Sequence, residues 1–182
     1  MSTLEVKAIQ APSGYKLAMP AGHILQVKQV DTSSAASVSI SSRTFADITG
    51  LSESITPSST SNKILIQASV HMYLQDYSTS QWKSVDYRIV RTVGGSSTNV
   101  AYTYEDDGSG SDYGYTYGIW NADANERAMC VVPVQFLDSP NTTSAATYKI
   151  QAHSGANGHN GAVVSSSNGY GISTMTLMEV AG

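Results

Sequence analysis

Carboxylates and histidines are the side chains through which this chain could do chemistry, and both are sparse. Four carboxylates fall within Glu105–Asp112, and clustered carboxylate oxygens are the ligands that Ca²⁺ prefers. The segment lacks the spacing of an EF-hand loop and its terminal bidentate Glu. A solvated turn is therefore the better interpretation of this stretch, and no metal or other cofactor is expected.

Histidine offers a second route to metal chemistry. The chain has four histidines, His23, His71, His153 and His159, and no two of them form a His-x-His pair. One histidine per subunit could still bind a metal where the symmetry axis of an oligomer repeats it. His71 is predicted to point outward from a strand, where a subunit contact or plain exposure is the better interpretation.

Motifs of catalysis are missing from the sequence. Glycoside hydrolysis needs two carboxylates at a defined separation in a cleft, whereas the acidic residues here fall mostly in predicted turns. No Gly-x-Ser-x-Gly motif and no phosphate-binding glycine loop occurs. The single cysteine, Cys130, excludes an intrachain disulfide and a Cys-x-x-Cys metal site, so its default role is that of a small buried side chain. A non-enzymatic protein is expected.

The composition narrows the class of protein further. The 182 residues suit one domain, and only 13% of them are charged, which is typical of extracellular and virion β-proteins. The net charge is −4 and no three Lys or Arg residues adjoin, which argues against a nucleic-acid partner. The N-terminus lacks a signal peptide, and no apolar stretch approaches the roughly 18 residues of a membrane span. Synthesis in a cytoplasm is therefore expected.

The elements that must position these residues are predicted to be β-strands. Within Lys63–Gln75, apolar residues occupy every second position from Ile64 to Leu74, which indicates a long strand with one buried face. The preceding segment, Ile55–Lys63, contains Pro57 among Ser, Thr and Asn residues and is predicted to form a tight polar loop.

Further strands recur along the chain between turn signals. Gly50 is predicted to separate a short strand pair, Arg43–Ile48 and Ser52–Thr56. Pro133 restricts the apolar segment Arg127–Leu137 to an edge, an end or a bulge of a sheet. Eight or nine strands without an amphipathic helix predict an all-β protein, an antiparallel two-sheet jelly-roll sandwich. The remaining predicted strands are Ile24–Val30, Ser84–Val93, Asn99–Tyr104, Ala146–Ala152 and Gly171–Val180.

Residues 1–22 differ from the predicted jelly-roll domain, which covers residues 23–182. Pro12, Gly14, Pro20 and Gly22 interrupt any regular apolar pattern, so this segment cannot form a core alone. One interpretation is an extended arm that anchors the protein on a partner, and the other is a leader followed by a first edge strand. The apolar side chains available for anchoring are Leu4, Val6, Ile9, Tyr15, Leu17 and Met19.

Two long segments, Glu105–Glu126 and Ser154–Gly171, are predicted to be irregular. Long loops on a rigid sandwich often carry binding surfaces. Aromatic rings in the first segment could stack on a flat apolar ligand surface, such as that of a sugar. The candidate receptor-loop residues are Tyr113, Tyr115, Tyr117, Trp120 and His159.

Several blocks of the chain resemble a domain of tail-fibre and virion structural proteins of marine phages, including cyanophages. The resemblance covers residues 21–182 and is most specific within Ile55–Ile66 and at the C-terminus. It implies a homotrimeric jelly roll of the kind seen in C1q and tumour necrosis factor, and a place on a phage particle. The blocks are Ala21–Gln29, Phe45–Ser52, Ile55–Ile66, Thr147–Ile150 and Ser173–Val180.

Tyrosine is the one enriched functional residue type, with eleven copies. It suits subunit contacts because its ring packs against a partner while its hydroxyl forms a hydrogen bond. For some of the strand tyrosines, ordinary sandwich core is the alternative. The candidate trimer contacts are Tyr73, Tyr87, Tyr102 and Tyr148.

These observations lead to one functional expectation with an alternative. The protein is expected to be a phage virion structural protein, a homotrimeric head-decoration (cement) protein or a short tail-appendage or fibre component. Residues 1–22 are expected to dock it on phage capsid or tail proteins after synthesis in the host cytoplasm. Fibre proteins usually carry a long N-terminal shaft, and only some 22 residues precede the domain here, which favours a small bound component. The alternative is a receptor-binding tail-fibre head that recognises a host surface glycan.

Overall fold

The computed structural model describes residues 19–33, 38–40, 44–75, 81–101, 103–104, 112–113, 115–121, 127–154, 162–164 and 171–182. These residues form 13 β-strands, and none of them lies in a helix. The strands are β1 Ile24–Asp31, β2 Val38–Ile40, β3 Ala46–Ile55, β4 Lys63–Gln75, β5 Gln81–Val93, β6 Ser96–Ala101, β7 Thr103–Tyr104, β8 Asp112–Tyr113, β9 Tyr115–Asn121, β10 Arg127–Asp138, β11 Ala146–Ser154, β12 Ala162–Val164 and β13 Thr174–Val180.

All strand pairings are antiparallel, and they build two sheets that pack face to face. Sheet A runs β1–β13–β4–β10, and β12 with β2 extends it beside the last residues of β4. Sheet B runs β3–β11–β5, and both β6 and β9 pair with the remaining edge of β5. β7 and β8 form a separate two-stranded pair. The predicted all-β jelly-roll sandwich is confirmed.

Strand β4 shows how the sequence builds the core. Ile64, Ile66 and Val70 are fully buried, as their alternation predicts, and they share one cluster with Tyr87 and Ile150 of sheet B. Burial of each such aliphatic side chain contributes about 1.5–3 kcal/mol to stability. β4 lies in the middle of sheet A, between β13 and β10, so its register also sets the positions of side chains on both neighbours.

Gly50 does not separate two strands. β3 runs through it, and the pairing with β11 shifts register between Lys149 and Gln151, so the chain bulges there. The φ angle of Gly50 is 91°, which glycine adopts without steric cost. The bulge lets both Ile48 and Leu51 point into the core. The predicted short strand pair is therefore wrong, because a glycine at positive φ serves a bulge as well as a turn.

Pro133 lies on an edge strand, as its type predicts. Its strand, β10, pairs with β4 and with no other strand of the described part of the chain. Proline cannot donate a ladder hydrogen bond, and an edge strand tolerates that loss because one of its sides has no partner strand. β1 forms the opposite edge of sheet A and pairs with β13 alone among the described strands.

A buried carboxylate joins three distant segments at one end of the sandwich. Glu179 Oε1 accepts hydrogen bonds from the Ser58 backbone N–H and hydroxyl, at 2.6 and 2.8 Å, and from the Asn62 amide at 2.6 Å. Its Oε2 accepts one from the Gln26 amide at 2.6 Å. Burial raises the pKa of the Glu179 carboxyl, but the bonds from Asn62, Ser58 and Gln26 outweigh it, so the pKa lies below its ordinary value. We call these four residues the Glu179 latch.

The residues of the Glu179 latch come from three of the blocks on which the sequence resemblance was based. Gln26 comes from the first block, Ser58 and Asn62 from the Ile55–Ile66 block, and Glu179 from the C-terminal block. The segment before β4 is thus a polar loop, as predicted, and its polar side chains serve to hold the buried carboxylate.

A second buried carboxylate joins the two sheets at the same end. Asp138, the last residue of β10, accepts hydrogen bonds from Arg91 of β5 at 2.7 and 3.0 Å and from the Tyr148 hydroxyl of β11 at 2.7 Å. Burial first, and then the bond to Asp138, raises the pKa of Tyr148 above its ordinary value. Because Arg91 neutralises the carboxylate, charge-assisted bonds reinforce the apolar packing between sheets A and B here.

The segment before β1 and the segment after β13 meet at this end of the sandwich. The backbone N–H of Gly22 donates to the Ala181 carbonyl at 2.8 Å, and the N–H of Ala181 donates to the His23 carbonyl at 2.8 Å. β1 and β4 begin here, while β10 and β13 end here. We call this the arm end, and the opposite end, where β5 begins and β9 ends, the distal end.

The two long segments predicted to be irregular contain strands. β9 pairs with β5 in sheet B, and β12 pairs with β4 and β2 in sheet A. The prediction missed these strands because short runs rich in Gly, Ser and Tyr show no clear alternation of apolar and polar residues. Three residues assigned to a receptor loop consequently lie on strand β9: Tyr115, Tyr117 and Trp120.

Candidate functional site

The outer face of sheet A, which points away from the core, is the candidate functional site. Core-facing and outward residues alternate along each strand. The strand registers align the outward residues of β1, β13, β4 and β10 in rows that cross the sheet. Successive rows lie at successive levels between the arm end and the distal end, and their chemistry differs from one level to the next.

The complete row nearest the arm end is apolar. Its members lie in directly opposed register positions, one on each strand, and are Val27, Met178, Leu65 and Leu137. Val27 is 55% exposed and Leu137 is 46% exposed, although both are aliphatic. Ile24, exposed to the same extent as Val27, lies opposite Val180 and extends the apolar surface toward the arm end. Leu65 and Met178, which lie between the two edges, are partly exposed. A contiguous apolar surface of this kind is typical of interaction sites. We call the complete row of Val27, Met178, Leu65 and Leu137 the apolar row.

The next row toward the distal end is polar and uncharged. It consists of Gln29, Thr176, Gln67 and Gln135, again in opposed register positions. The Thr176 hydroxyl donates to Gln29 Oε1 at 3.4 Å. Every amide and hydroxyl of the row can both donate and accept hydrogen bonds. We call these four residues the polar row.

On the distal side of the polar row the outward side chains are small, so the outer surface of sheet A is lower there. Ser69 lies between Thr174 and Pro133 in the third row, and a depression with a volume of about 360 Å³ opens there. The depression takes part of its wall from the polar row. The outward residues that line it are Gln67, Ser69, Pro133, Gln135, Thr174 and Thr176.

Charge is confined to the margins of this face in the described residues. Asp31 lies on the edge strand at the level of Thr174, and hydrogen bonds from Ser33 lower its pKa. Lys63 lies at the arm end, opposite Val180. The apolar and polar rows between these two residues contain no ionisable side chain. Association through the face would therefore place no charge in its centre.

His71 lies on this face, near its distal margin and opposite Val131, so its predicted outward direction is confirmed. Its backbone N–H donates to the Ser173 hydroxyl at 2.9 Å. Gly171 lies against the imidazole, where a Cβ would collide with the ring. The ring is therefore positioned by packing within the subunit.

The outer face of sheet B has a different character, because its charged side chains bind one another. Lys149 Nζ lies 2.8 Å from Asp47 Oδ2, and the Gln151 amide donates to Asp47 Oδ1 at 2.6 Å. Arg88 Nε donates to Gln151 Oε1 at 2.7 Å, and its guanidinium lies 3.9 Å from the centre of the Phe45 ring. Burial raises the pKa of Asp47, but the bonds from Lys149 and Gln151 bring it below its ordinary value. We call these five residues the charged network.

A histidine–aspartate pair lies beside the charged network. His153 of β11 is opposite Asp86 of β5, with 3.3 Å between Nε2 and Oδ2, and neither side chain is more than 3% exposed. The Phe45 ring packs edge-on against His153 at 4.1 Å. General acid–base catalysis requires the group to reach the proton that it transfers. A pair sealed from solvent in this way fits a structural role.

Two of the four candidate trimer contacts are core residues instead. Tyr87 and Tyr148 are fully buried within the subunit and belong to its core cluster, so neither can touch a partner subunit. This corrects the expectation for both. Tyr73 lies on β4 opposite Met129, but its side chain and all of Tyr102 lie outside the described residues.

Strand β9, which carries three of the candidate receptor residues, runs from the middle of β5 to the distal end, whereas Met19, the described anchoring candidate, lies near the arm end. β9 ends at the distal end, with Trp120 opposite Trp82. β5 spans 13 residues between the two ends, which corresponds to about 40 Å. Tyr113 lies on β8, while His159 and the side chains of the other receptor candidates lie outside the described residues. Of the anchoring candidates, Met19 is described and exposed, and five lie outside the described residues: Leu4, Val6, Ile9, Tyr15 and Leu17.

Metal-ligand clusters and membrane-spanning helices are two further elements that could carry a function. No group of three or more His, Cys, Asp or Glu side chains in the described ranges is arranged to hold a metal ion. No helix within those ranges is long and apolar enough to cross a membrane. The acidic residues Glu105, Asp106 and Asp107 and the side chain of Cys130 lie outside the described part of the chain.

Comparison with known proteins adds matches of low similarity. No protein-family model and no curated protein matches the chain. Among solved structures, the structure of Eiger TNF from S. frugiperda shares 7% identity, covering 85% of this chain and 93% of that chain, with a TM-score of 0.39. The structure of the infectious bursal disease virus Gt strain shares 11% identity over 97% of this chain, with a TM-score of 0.40.

A third match is the crystal structure of the infectious bursal disease virus VP2 subviral particle, at 14% identity over 97% of this chain, with a TM-score of 0.41. The chain spans less than half the length of the two viral chains, 43% of one and 42% of the other. Solved structures similar to this chain thus include a TNF protein and viral VP2. The jelly-roll assignment itself rests on the strand order of sheets A and B.

Proposed function

We propose that this protein is a non-enzymatic structural component of a phage particle, a homotrimer that assembles through the outer face of sheet A. Residues 1–22 dock the trimer on capsid or tail proteins. It serves either as a head-decoration (cement) protein or as a short tail appendage or fibre component. The sequence resemblance supports the phage particle and the copy number of three, and the apolar row carries the proposal for the assembly face.

The apolar row favours association because water solvates it poorly. Val27 and Leu137, at the two edges of sheet A, each leave about half of their surface in water. Removal of apolar surface from water contributes roughly 25 cal/mol per Å². A closed cyclic assembly buries the same face on every copy, so the gain is repeated for each subunit without leaving an open face.

The arm end suits docking because the N-terminal segment leaves the sandwich there. Gly22 is held by its hydrogen bond to Ala181, and Met19 just before it is exposed. The exposed Ile24 adjoins this point. In this proposal, the apolar side chains before Met19 gain burial against a partner, such as a capsid or tail protein.

The test of assembly is size-exclusion chromatography with light scattering. We expect a particle of three times the 19.2 kDa chain mass at micromolar concentration. The double variant Val27→Asp, Leu137→Asp should elute as a folded monomer, since each subunit would bring two carboxylates into the interface. The matched control Asn99→Asp places one carboxylate on the outer face of sheet B, opposite Val90, and should remain trimeric.

Two results would contradict this assignment. A wild-type protein that is monomeric at micromolar concentration removes the homotrimer. A double variant that stays trimeric places the interface elsewhere on the molecule. For docking, a chain without residues 2–20 should form a folded trimer that no longer binds particles, whereas an unfolded product would assign the arm to the core.

A second candidate function is receptor binding by the distal end. The observation that favours it is the position of β9, which carries Tyr115, Tyr117 and Trp120, pairs with the half of β5 nearer the distal end and places Trp120 closest to that end. The triple alanine variant at these residues should reduce adsorption of particles to host cells while leaving the trimer melting temperature unchanged. Unchanged adsorption leaves assembly as the function, and a lowered melting temperature assigns the rings to packing of sheet B.

A further inference from the structure

We infer that the polar row sets the register in which copies of this chain meet, and that it selects a single assembly from those that the apolar row alone would allow. The inference rests on the proposed homotrimer and goes beyond it, because it assigns assembly specificity to particular residues. The occupant of the row is the same row of another copy. The residues concerned are Gln29, Gln67, Gln135 and Thr176.

The chemistry of the row is self-complementary. An amide offers two donors and one acceptor oxygen, and a hydroxyl offers a donor and an acceptor. Rows of such groups can therefore pair with identical rows. A row of carboxylates or ammonium groups could not, because identical copies would bring like charges together. The uncharged surface between Asp31 and Lys63 thus suits a second copy of this chain better than a partner with a charged surface.

The layering of the face explains how register is enforced. A rotation axis that runs along the strands keeps each level of the sheet at its own height. The apolar row then meets apolar rows, and the polar row meets polar rows. A shift by one row would press Gln67 and Gln135 against Leu65 and Met178 of another copy. Their amides would then lose hydrogen-bonding partners, and buried polar groups without partners are strongly disfavoured.

The depression beside the polar row supports the same assignment. It begins where the side chains shorten to Ser69 and Thr174, and its wall includes Gln67 and Gln135. In an assembly these recesses face one another and give the amides space to adopt the geometry that hydrogen bonds require. A single buried polar residue is known to fix register and copy number in coiled coils at a cost in affinity. The polar row would do the same for a sheet face.

The experiment compares the wild-type protein with Gln67→Leu, Gln135→Leu by native mass spectrometry and light scattering over a concentration series. We expect the wild type to form one species. The leucine variant should associate about tenfold more tightly or better, because two buried amides become apolar, and should populate more than one copy number. The conservative variant Gln67→Asn, Gln135→Asn retains the amides and should keep one species. Asn99→Leu adds an apolar side chain to sheet B and should also keep one species.

The outcomes separate this inference from the homotrimer on which it rests. If the wild type is trimeric and the leucine variant is also a single trimer, the register role of the polar row is refuted and the trimer stands. If the leucine variant dissociates more readily than the wild type, the row contributes affinity and the inference is again refuted. A monomeric wild type overturns the proposed homotrimer and with it any role of the row between copies.

Discussion

The two outer faces of the sandwich both carry polar side chains but organise them differently. On sheet B, Lys149, Asp47, Gln151 and Arg88 bind one another within a single subunit. On sheet A, uncharged amides and hydroxyls form one row beside a row of exposed aliphatic side chains. On the sheet B face, these charged side chains find their binding partners within one subunit, so they need no partner from another copy. A face with layered, self-complementary rows is suited to copies of itself.

The largest expected effect comes from replacing an amide by a carboxylate of the same shape on the outer face of sheet A. Gln67→Glu places one carboxylate per subunit in the polar row, where the proposed trimer would bring three of them to one level. We expect the trimer dissociation constant to rise by at least about 100-fold at pH 7, because like charges are desolvated together. Analytical ultracentrifugation would measure the change.

Asn99→Asp is the matched control for this variant, because it adds the same charge to the outer face of sheet B and should change the dissociation constant little. Acidification toward pH 4 should restore the Gln67→Glu trimer as the carboxyls gain protons. Equal effects of the two substitutions would contradict the contrast between the faces.

The next effect concerns the Glu179 latch, which holds the edge strand of sheet A through Gln26. Glu179→Gln should lower the free energy of unfolding by about 2–3 kcal/mol at pH 7, because an amide N–H then faces one of the donors that the carboxylate satisfied. The folded-state pKa lies below the ordinary value of 4.5, so the latch stabilises the fold above that pH and loses this contribution as the pH falls through the folded-state pKa. The stability gap between wild type and variant should therefore close in acid.

Hydrogen exchange gives the Glu179 latch a spatial test. In Glu179→Gln, the exchange rates of the β1 amides should rise more than those of the β3 amides in sheet B, which change only through the loss of global stability. Chemical denaturation at several pH values supplies the stability series. If the stability difference between wild type and variant widens as the pH falls, the assigned direction of the Glu179 pKa shift is wrong.

A smaller effect is expected for the buried Tyr148. Tyr148→Phe removes the hydroxyl bond to Asp138 and should cost about 1.5 kcal/mol of folding free energy. The trimer dissociation constant should not change, since the ring is in the core. A changed dissociation constant at constant stability would show that Tyr148 contributes to the subunit interface, as predicted from the sequence.

The smallest effect is expected within the charged network. Lys149→Met removes an ion pair whose partner, Asp47, is 56% exposed in its side chain. We expect the free energy of unfolding to fall by about 0.5 kcal/mol. This loss should be smaller in about 1 M salt, because dissolved ions screen the attraction between exposed charges. The trimer dissociation constant should not change. A large or salt-independent loss of folding free energy would show that the charged network contributes more to stability than a surface ion pair does.

Local signals predicted the strands whose evidence lies within one segment. The alternation from Ile64 to Val70 identified the buried face of β4, and Pro133 identified an edge. Gly50 misled the prediction, because its positive φ serves a bulge whose partner, β11, lies far along the chain. Tyr87 and Tyr148 misled it because a tyrosine suits a core as well as an interface, and burial depends on tertiary packing.

The candidate site could be predicted only in part. The sequence shows that the outward positions of β4 hold Leu65, Gln67 and Ser69 and no charge. It does not show that Leu65 faces Met178, since these residues lie on strands more than a hundred positions apart and the register arises only on folding. The role of Glu179 could not be predicted either, because a glutamate near a strand end is usually exposed and its hydrogen-bond donors come from two other segments.

The hydrogen bonds between Gly22, His23 and Ala181 bring the start of the described sandwich beside its C-terminal residues. In a chain trimmed to begin at Gly22, a short linker could join these two ends while new ends open elsewhere, which is circular permutation. A Cβ at Gly182 would collide with the Ser61 carbonyl, so the linker should follow an unaltered Gly182. A permutant opened at Gly94–Gly95, where the β5–β6 hairpin turns, would present both new ends on sheet B and so tether cargo without touching the rows of sheet A.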